Sequence, residues 1–249
     1  MAAELSPGDR AKQAAAERAV GFVEDGMKLG LGTGSTAAFM VRCLAARASR
    51  ENLRLTCVPT SKRTADLAGS LGLDVVSLDT ARWLDLTIDG ADEVDGDLVL
   101  IKGGGGAHLI EKIVATASDR MVVIADAGKR VATLGAFPLP VEVIRFGWRT
   151  TQALIEEALA AFDVDGRASA LRLAGAEPFV TDEGNYVIDL QLGRIGDPRG
   201  LALVLNQVPG VVENGLFVDI CDRLVIGHPD GTTEVIEAPA GKGSAAAGV

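Results

Sequence analysis

Four short segments hold most of the side chains that could do chemistry. The first, Gly30-Leu31-Gly32-Thr33-Gly34-Ser35-Thr36, joins an apolar run to a stretch with helical spacing. Its glycines let the backbone approach a ligand, and a helix start offers free N–H groups at the positive end of a dipole. The fitting guest is an anion, phosphate above all; the plainer reading is a tight turn with a Ser/Thr cap. The second, Asp89-Gly90-Ala91-Asp92-Glu93, follows the apolar run Leu84–Ile88. Acids at the carboxyl end of a strand stand where substrates bind, although a solvated acidic turn fits as well. The acids fall at 89, 92, 93, 95 and 97, which is not the alternation of a calcium loop. The third, Lys102-Gly103-Gly104-Gly105-Gly106-Ala107, sets four glycines in a row. Each costs about 0.5–1 kcal/mol relative to Ala in regular structure, so such a run points to close backbone approach. Glu111 follows among Leu109, Ile110 and Ile113. Partial desolvation is how a carboxylate becomes a base useful near neutral pH, and the alternative is a Glu placed well on the helix dipole. The fourth, Asp126-Ala127-Gly128-Lys129, offers Lys129 to a phosphate or a developing oxyanion, or simply to solvent.

Together these segments supply a phosphate cradle, two aspartates, two lysines, a glycine-rich nest and one carboxylate base. No Ser-His or Cys-His pair and no cofactor motif accompanies them. The glycine loop fails as a dinucleotide fingerprint, because the fifth residue after Gly30 is Ser35 and the next strand ends in Pro59-Thr60-Ser61 without a ribose-binding acid. It also lacks the lysine of a Walker A loop. The set suits proton transfer next to a carbonyl in a small phosphorylated substrate.

These loops need elements to hold them. Ser6 with Pro7 and Asp9 reads as a helix start, and helical spacing runs on to Val23. Strand-like runs at Lys28–Leu31, Arg54–Val58, Val75–Leu78, Leu86–Ile88, Leu98–Ile101 and Met121–Ala125 then alternate with helical stretches at Ser35–Ala48, Ser61–Leu71 and Leu109–Ser118. This rhythm predicts an α/β fold, a Rossmann-like, mostly parallel sheet covered on both faces, with binding loops at the strands' carboxyl ends. At Phe137–Pro140 two prolines disfavour helix and suggest a crossing linker. Beyond it, helical stretches at Thr150–Ala161 and Pro198–Gln207 and strands at Ala168–Leu173 and Tyr186–Leu192 predict a second, smaller α+β domain. The expected division is 1–135 plus 218–240 for the sheet domain, 136–217 for the smaller one, and a flexible tail at 241–249. Two late strand-like runs, Leu224–Ile226 and Thr233–Ile236, belong to a C-terminal return segment.

Composition sets the class. The chain has 249 residues, 48% of them hydrophobic, and a net charge of −10. That is too apolar for disorder and long enough for a core. A pI near 4.7 argues against a general nucleic-acid binder or a binder of anionic membranes. Mean hydropathy is +0.25, yet no apolar run reaches the ~18 residues of a membrane span. The start MAAELSPGDRAKQ has no basic flank before an apolar core, so it does not read as a secretory signal, and a cytoplasmic location is expected. Cys43, Cys57 and Cys221 are scattered and read as reduced, structural thiols. With only His108 and His228 in the chain, a His-rich zinc site is excluded.

The combination GLGTGST, DLTIDGADEVD, KGGGGA…EK, ADAGK and FPLPVEV, in this order, closely resembles the ribose-5-phosphate isomerase A family over about residues 10–237. The stretches TDEGNYVIDL and VPGVVENGLF resemble its second domain and return segment. The resemblance implies interconversion of ribose 5-phosphate and ribulose 5-phosphate through a cis-enediolate, without metal or organic cofactor, in the pentose phosphate pathway. It implies that Glu111 moves a proton between C2 and C1. Asp89 and Asp92, with Gly90 and Ala91 between them, match the pair that binds the sugar hydroxyls and assists ring opening. Lys102 with Gly103, Gly104 and Gly105 matches the segment that holds the reacting end and stabilises the enediolate. Thr33, Gly34, Ser35 and Thr36 match the substrate-binding loop, Lys129 the substrate-binding lysine, and Lys12 a phosphate-facing lysine. The expected partners are a phosphorylated pentose and further copies of the chain, as a homodimer or homotetramer.

One position departs from the family pattern. The residue before the catalytic glutamate is usually arginine and is Ile110 here, with His108 two residues earlier reading as a helix-start residue. The competing readings are a non-catalytic sugar-phosphate sensor or a related sugar-phosphate deaminase. A sensor that regulates transcription would need a DNA-binding module, and the acidic N-terminal stretch leaves no room for a basic one. A deaminase would release ammonia from glucosamine 6-phosphate.

Overall fold

A computed structural model describes residues 5–239. The tail expected at 241–249 lies outside them. In chain order the first elements are α1 (Pro7–Val20), β1 (Lys28–Leu31), α2 (Ser35–Glu51), β2 (Thr56–Pro59), α3 (Lys62–Ser70), β3 (Asp74–Val75), α4 (Leu78–Ala81) and β4 (Leu86–Gly90). There follow β5 (Glu93–Val94), β6 (Leu100–Ile101), α5 (His108–Thr116), β7 (Met121–Asp126), β8 (Leu139–Val143), α6 (Trp148–Leu159) and β9 (Ala168–Leu171). The last are β10 (Leu173–Ala174), β11 (Glu177–Pro178), β12 (Tyr186–Gln191), α7 (Pro198–Leu205), β13 (Val211–Asn214), β14 (Leu216–Phe217), β15 (Arg223–Gly227) and β16 (Thr233–Glu237).

These divide into two compact units. The first takes the chain up to Ala91, Ile110–Arg130 and the chain from Asp219; the second takes Asp92–Leu109 and Val131–Val218. The first unit is built on a seven-stranded sheet of order β16-β15-β7-β4-β1-β2-β3. All its pairings are parallel except β15 with β16. The order from β3 to β15 is that of a doubly wound fold, and it reverses between β1 and β4. The return segment therefore rejoins the first sheet through β15 and β16. The central strands are near-continuous buried apolar runs, as a sheet covered on both faces demands. Helix α1 starts as its sequence predicts: the Asp9 N–H donates to Ser6 Oγ at 3.1 Å, and Pro7 takes the first turn. Its buried face is alanine (Ala11, Ala14, Ala15, Ala16, Ala19), small enough to lie directly on β15. A Cβ at Gly227 would fall 1.9 Å from the Ala11 carbonyl oxygen.

The second unit holds a four-stranded antiparallel sheet, β13-β8-β12-β9, a three-stranded one, β14-β6-β5, and the hairpin β10-β11. Its core gathers Leu139, Val141 and Val143 of β8, Ile188 and Leu190 of β12, Ile155 and Leu159 of α6, and Leu201 and Leu205 of α7.

Three expectations are corrected. The strand read at Leu98–Ile101 shortens to β6 and lies outside the parallel sheet. Ile101 pairs antiparallel with Glu93 and with Leu216, which carries the segment Asp92–Leu109 into the second unit rather than the sheet domain. The strand read at Val75–Leu78 ends at Val75, because the Ser77 hydroxyl accepts the Thr80 N–H at 3.2 Å and starts α4. The linker read at Phe137–Pro140 runs into β8, an inner strand in which all five residues are buried. Pro140 is tolerated there because the β13 ladder stops at the pair Val141–Asn214. Its missing N–H falls just past the ladder's end, where its carbonyl accepts the Gly215 N–H at 2.8 Å.

Candidate active site

In the first unit, the loop after β1 and the acid that ends β4 flank the reversal point of the sheet, where open α/β sheets bind ligands. Asp89 is fully buried, and its Oδ1 accepts the N–H groups of Thr33 (3.1 Å) and Gly90 (2.7 Å). One carboxylate thus ties the two loops together. The approach is possible only because residue 32 is glycine. A Cβ there would come to 2.0 Å from Asp89 Oδ1 and 2.6 Å from its Cα. We expect Gly32→Ala to lower stability by about 3 kcal/mol, the upper part of the overpacking range. Turnover should fall with it, because Asp89 is displaced; melting and steady-state kinetics of the variant check both.

The hydroxyls of the loop divide between two tasks. The Thr33 hydroxyl is held in a cluster with Thr60 Oγ1 (2.7 Å), Ser61 Oγ (2.8 Å) and Thr64 Oγ1 (3.3 Å). Thr60 and Thr64 donate in turn to the carbonyls of Leu31 (3.1 Å) and Gly32 (3.0 Å). The Thr33 hydroxyl therefore braces the loop. Gly34, at φ +107° a conformation few side chains adopt, precedes α2. The first turn of α2 has no side-chain cap and no acidic residue. Ser35 is exposed and Thr36 half-buried at that start, so their N–H groups form an uncountered positive helix end.

Glu111 is 4% exposed in the first turn of α5. From Ile110 onward this helix is fastened to the same sheet. Val114 packs with Val58, Ala81 and Leu84, and a Cβ at Gly30 would reach Val114 Cγ1 at 2.7 Å. Just past the helix, Ser118 Oγ and Thr87 Oγ1 lie 2.6 Å apart. Lys129 ends a single 3-10 turn, Ala127–Lys129, directly after β7. Lys12 on α1 forms an ion pair with Asp9 at 3.6 Å, so the structure places it on the helix surface with an acidic neighbour.

In the second unit, Asp92 and the glycine run are joined: the Gly104 N–H donates to Asp92 Oδ2 at 2.8 Å, and the Asp92 N–H to the Ile101 carbonyl at 2.8 Å. Lys102, 2% exposed, is set by its backbone. Its N–H donates to the Gly215 carbonyl at 2.9 Å, and its ammonium stands 5.5 Å from the Phe217 ring centre. The run is shaped by what covers it. Gly103 has φ +106°, and a Cβ there would meet His108 Nδ1 at 2.7 Å. His108 is the first residue of α5 and is fully buried. Gly106 has φ +75°, and a Cβ there would meet the Phe179 ring at 2.4 Å. Gly105 is exposed.

Sequence reasoning missed two groups. Thr60, Ser61 and Thr64 brace the loop after β1, and their signal was hydroxyl residues at the carboxyl end of the neighbouring strand. Arg172, whose guanidinium donates to the carbonyls of Gly103 (2.8 Å) and Gly104 (3.1 Å), carries no sequence signal, being one arginine in a short hairpin. Burial pushes the Cys57 and Cys221 thiols up to about 12 and raises that of Cys43 as well, which disfavours the thiolate near neutral pH.

Comparison with known proteins follows this geometry. A family profile described as Ribose 5-phosphate isomerase A (phosphoriboisomerase A) matches residues 56–231. The Ribose-5-phosphate isomerase A of Ruegeria pomeroyi is 67% identical over 235 residues, 94% of this chain and 90% of its own length. Among solved structures, the ribose 5-phosphate isomerase A of Methanocaldococcus jannaschii superposes with a TM-score of 0.83 at 38% identity, covering 92% of this chain and 98% of its own. A D-ribose-5-phosphate isomerase in complex with phospho-erythronic acid gives a TM-score of 0.85 at 38% identity, with 92% and 99% covered.

Proposed function

This chain belongs to the ribose 5-phosphate isomerase A family, and on that premise we propose how its residues do the work. It is an aldose–ketose isomerase that interconverts D-ribose 5-phosphate and D-ribulose 5-phosphate. Glu111 takes a proton from one of the carbons C1 and C2 and returns it to the other by way of a cis-enediolate. The observation that carries this reading is a buried carboxylate in the first turn of a helix fastened to the sheet, following the glycine run on the chain. A C–H beside a carbonyl is a weak acid, so the charge that develops on oxygen must be met by fixed donors. Lys102 and the backbone of Gly103, Gly104 and Gly105 meet it, and one such donor is worth about 10²–10³ in rate. Asp89, Gly90, Ala91 and Asp92 bind the sugar hydroxyls and assist ring opening. The N-terminus of α2, with Gly34, Ser35 and Thr36, and the ammonium groups of Lys129 and Lys12 take the phosphate, whose binding energy positions the reacting end. Thr33 serves the substrate by holding the loop, with its N–H on Asp89 and its hydroxyl among Thr60, Ser61 and Thr64.

The enzyme works in the non-oxidative pentose phosphate pathway, in the cytoplasm, as a homodimer or homotetramer. A second copy of the chain would cover side chains such as Phe146, 90% exposed. Among the described residues no helix is long and apolar enough to cross a membrane. The direct experiment is a discontinuous assay of ketose formation from ribose 5-phosphate, run beside glucosamine 6-phosphate with ammonia detection. Ketose from the first and no ammonia from the second is the expected pair; ammonia without ketose would move the chain to deamination.

A further inference from the structure

We propose that Arg172, aimed by Asp189, is a positioning residue for the glycine run and through it for the isomerisation, an inference that rests on the isomerase reading above. Arg172 lies between β9 and β10, and its side chain is only 14% exposed. Its Nε and Nη2 donate to the two oxygens of Asp189 on β12, at 2.9 and 2.5 Å. This two-point grip fixes the guanidinium plane and turns Nη1 onto the carbonyls of Gly103 and Gly104. The ring of Phe179, 5.8 Å from the guanidinium carbon, covers Gly106 from the adjoining hairpin.

Those two carbonyls matter because of what lies behind them. A trans peptide points its C=O and N–H to opposite sides. With the Gly103 carbonyl held by Arg172, the N–H of Gly104 is turned away from the guanidinium, and it donates to Asp92 Oδ2. With the Gly104 carbonyl held, the N–H of Gly105 is turned away from Arg172 as well, and it has no acceptor among the described residues. A cation on each carbonyl also polarises the peptide and strengthens the N–H at its other end. Four successive glycines have no side chain to fix these orientations; the Gly106 N–H donates to the Gly103 carbonyl at 2.9 Å and closes one turn, and Arg172 adds the hold on the Gly104 carbonyl that this turn does not supply. The clamp thus presents the Gly105 N–H to the oxygen that gains charge in the enediolate and keeps Asp92 in place, while Arg172 itself touches neither substrate nor reacting atoms.

The test compares Arg172→Ala, Arg172→Lys and Asp189→Asn with the parent in full-length protein. Because a misplaced donor costs up to about 10²-fold, Arg172→Ala should lower kcat about 10–100-fold with KM little changed. Arg172→Lys should regain only part of this, since an ammonium cannot hold Asp189 and both carbonyls as a fork does. Amide deuterium uptake in 102–107 should rise in Arg172→Ala while the core of the four-stranded sheet stays protected. Should that variant fail to fold, Asp189→Asn, which keeps the arginine, should show a smaller fall in kcat and the same local rise in uptake. An unchanged kcat in the folded variant, a loss confined to KM, or unchanged uptake in 102–107 would each overturn the proposal. Uptake is read without substrate, so a parent protein lacking isomerase activity would sink the isomerase reading while the clamp is still scored.

Discussion

Glu111→Gln is expected to lower kcat by about 10³–10⁴-fold, the upper part of what a positioned general base contributes, with KM and melting temperature close to the parent's. Gln keeps the length and volume of Glu and its preference for helix, so α5 and its packing through Val114 persist. What is lost is the ability to accept and return a proton. The effect should be large because the reaction has no other step that residual binding could carry: every turnover moves a proton between carbons. Steady-state kinetics beside a melting curve separates this from unfolding. A Glu111→Gln protein with parental kcat would remove Glu111 from the base role.

Lys102→Met is the second large effect, a fall in kcat of about 10²–10³-fold, as for loss of one donor to a developing oxyanion. Methionine keeps an unbranched apolar stem next to the Phe217 ring, so packing is retained. The backbone contacts at residue 102, from its N–H to the Gly215 carbonyl and through the neighbouring pairing of β6 with β14, survive the change. Lys102→Met, checked for folding by its melting curve, should bind substrate while failing to stabilise the enediolate. The signature is loss in kcat rather than KM, measured across a substrate titration; loss in KM alone would assign Lys102 to ground-state binding.

Much of this was legible in the sequence because local chemistry and global fold agree in the first unit. Ser6-Pro7 and the alanine face announce α1, and buried apolar runs announce β1, β4 and β7. Glycine at 30 and 32 was readable as close approach, although the partners, Thr87, Val114 and Asp89, needed coordinates. Legibility fails where pairing is non-local and strands are short. β5 and β6 have two residues each, too few for any periodicity, and β14, the outer partner of β6, lies more than a hundred residues further along. The prolines at 138 and 140 disfavour helix and suggest a linker, and only the end of the β13 ladder explains why β8 accepts Pro140. Thr33 falls in the loop read as an anion site because glycine and helix start coincide there. The brace from Thr60, Ser61 and Thr64 comes from an adjacent parallel strand, a neighbour the sequence does not place. Ile110, where the family carries arginine, is a half-buried apolar residue packed against Val114's cluster.

The central claim is proton transfer by Glu111 through an enediolate, and hydrogen exchange at carbon tests it most directly. Ribose 5-phosphate is incubated with EDTA-treated protein in D₂O and followed by proton NMR, with Glu111→Gln alongside. The account predicts conversion to ribulose 5-phosphate with deuterium entering at the exchanging carbon, and neither conversion nor incorporation in the variant. Conversion and incorporation that persist undiminished in Glu111→Gln would contradict it, as would a folded, sugar-phosphate-binding parent protein that neither converts nor exchanges.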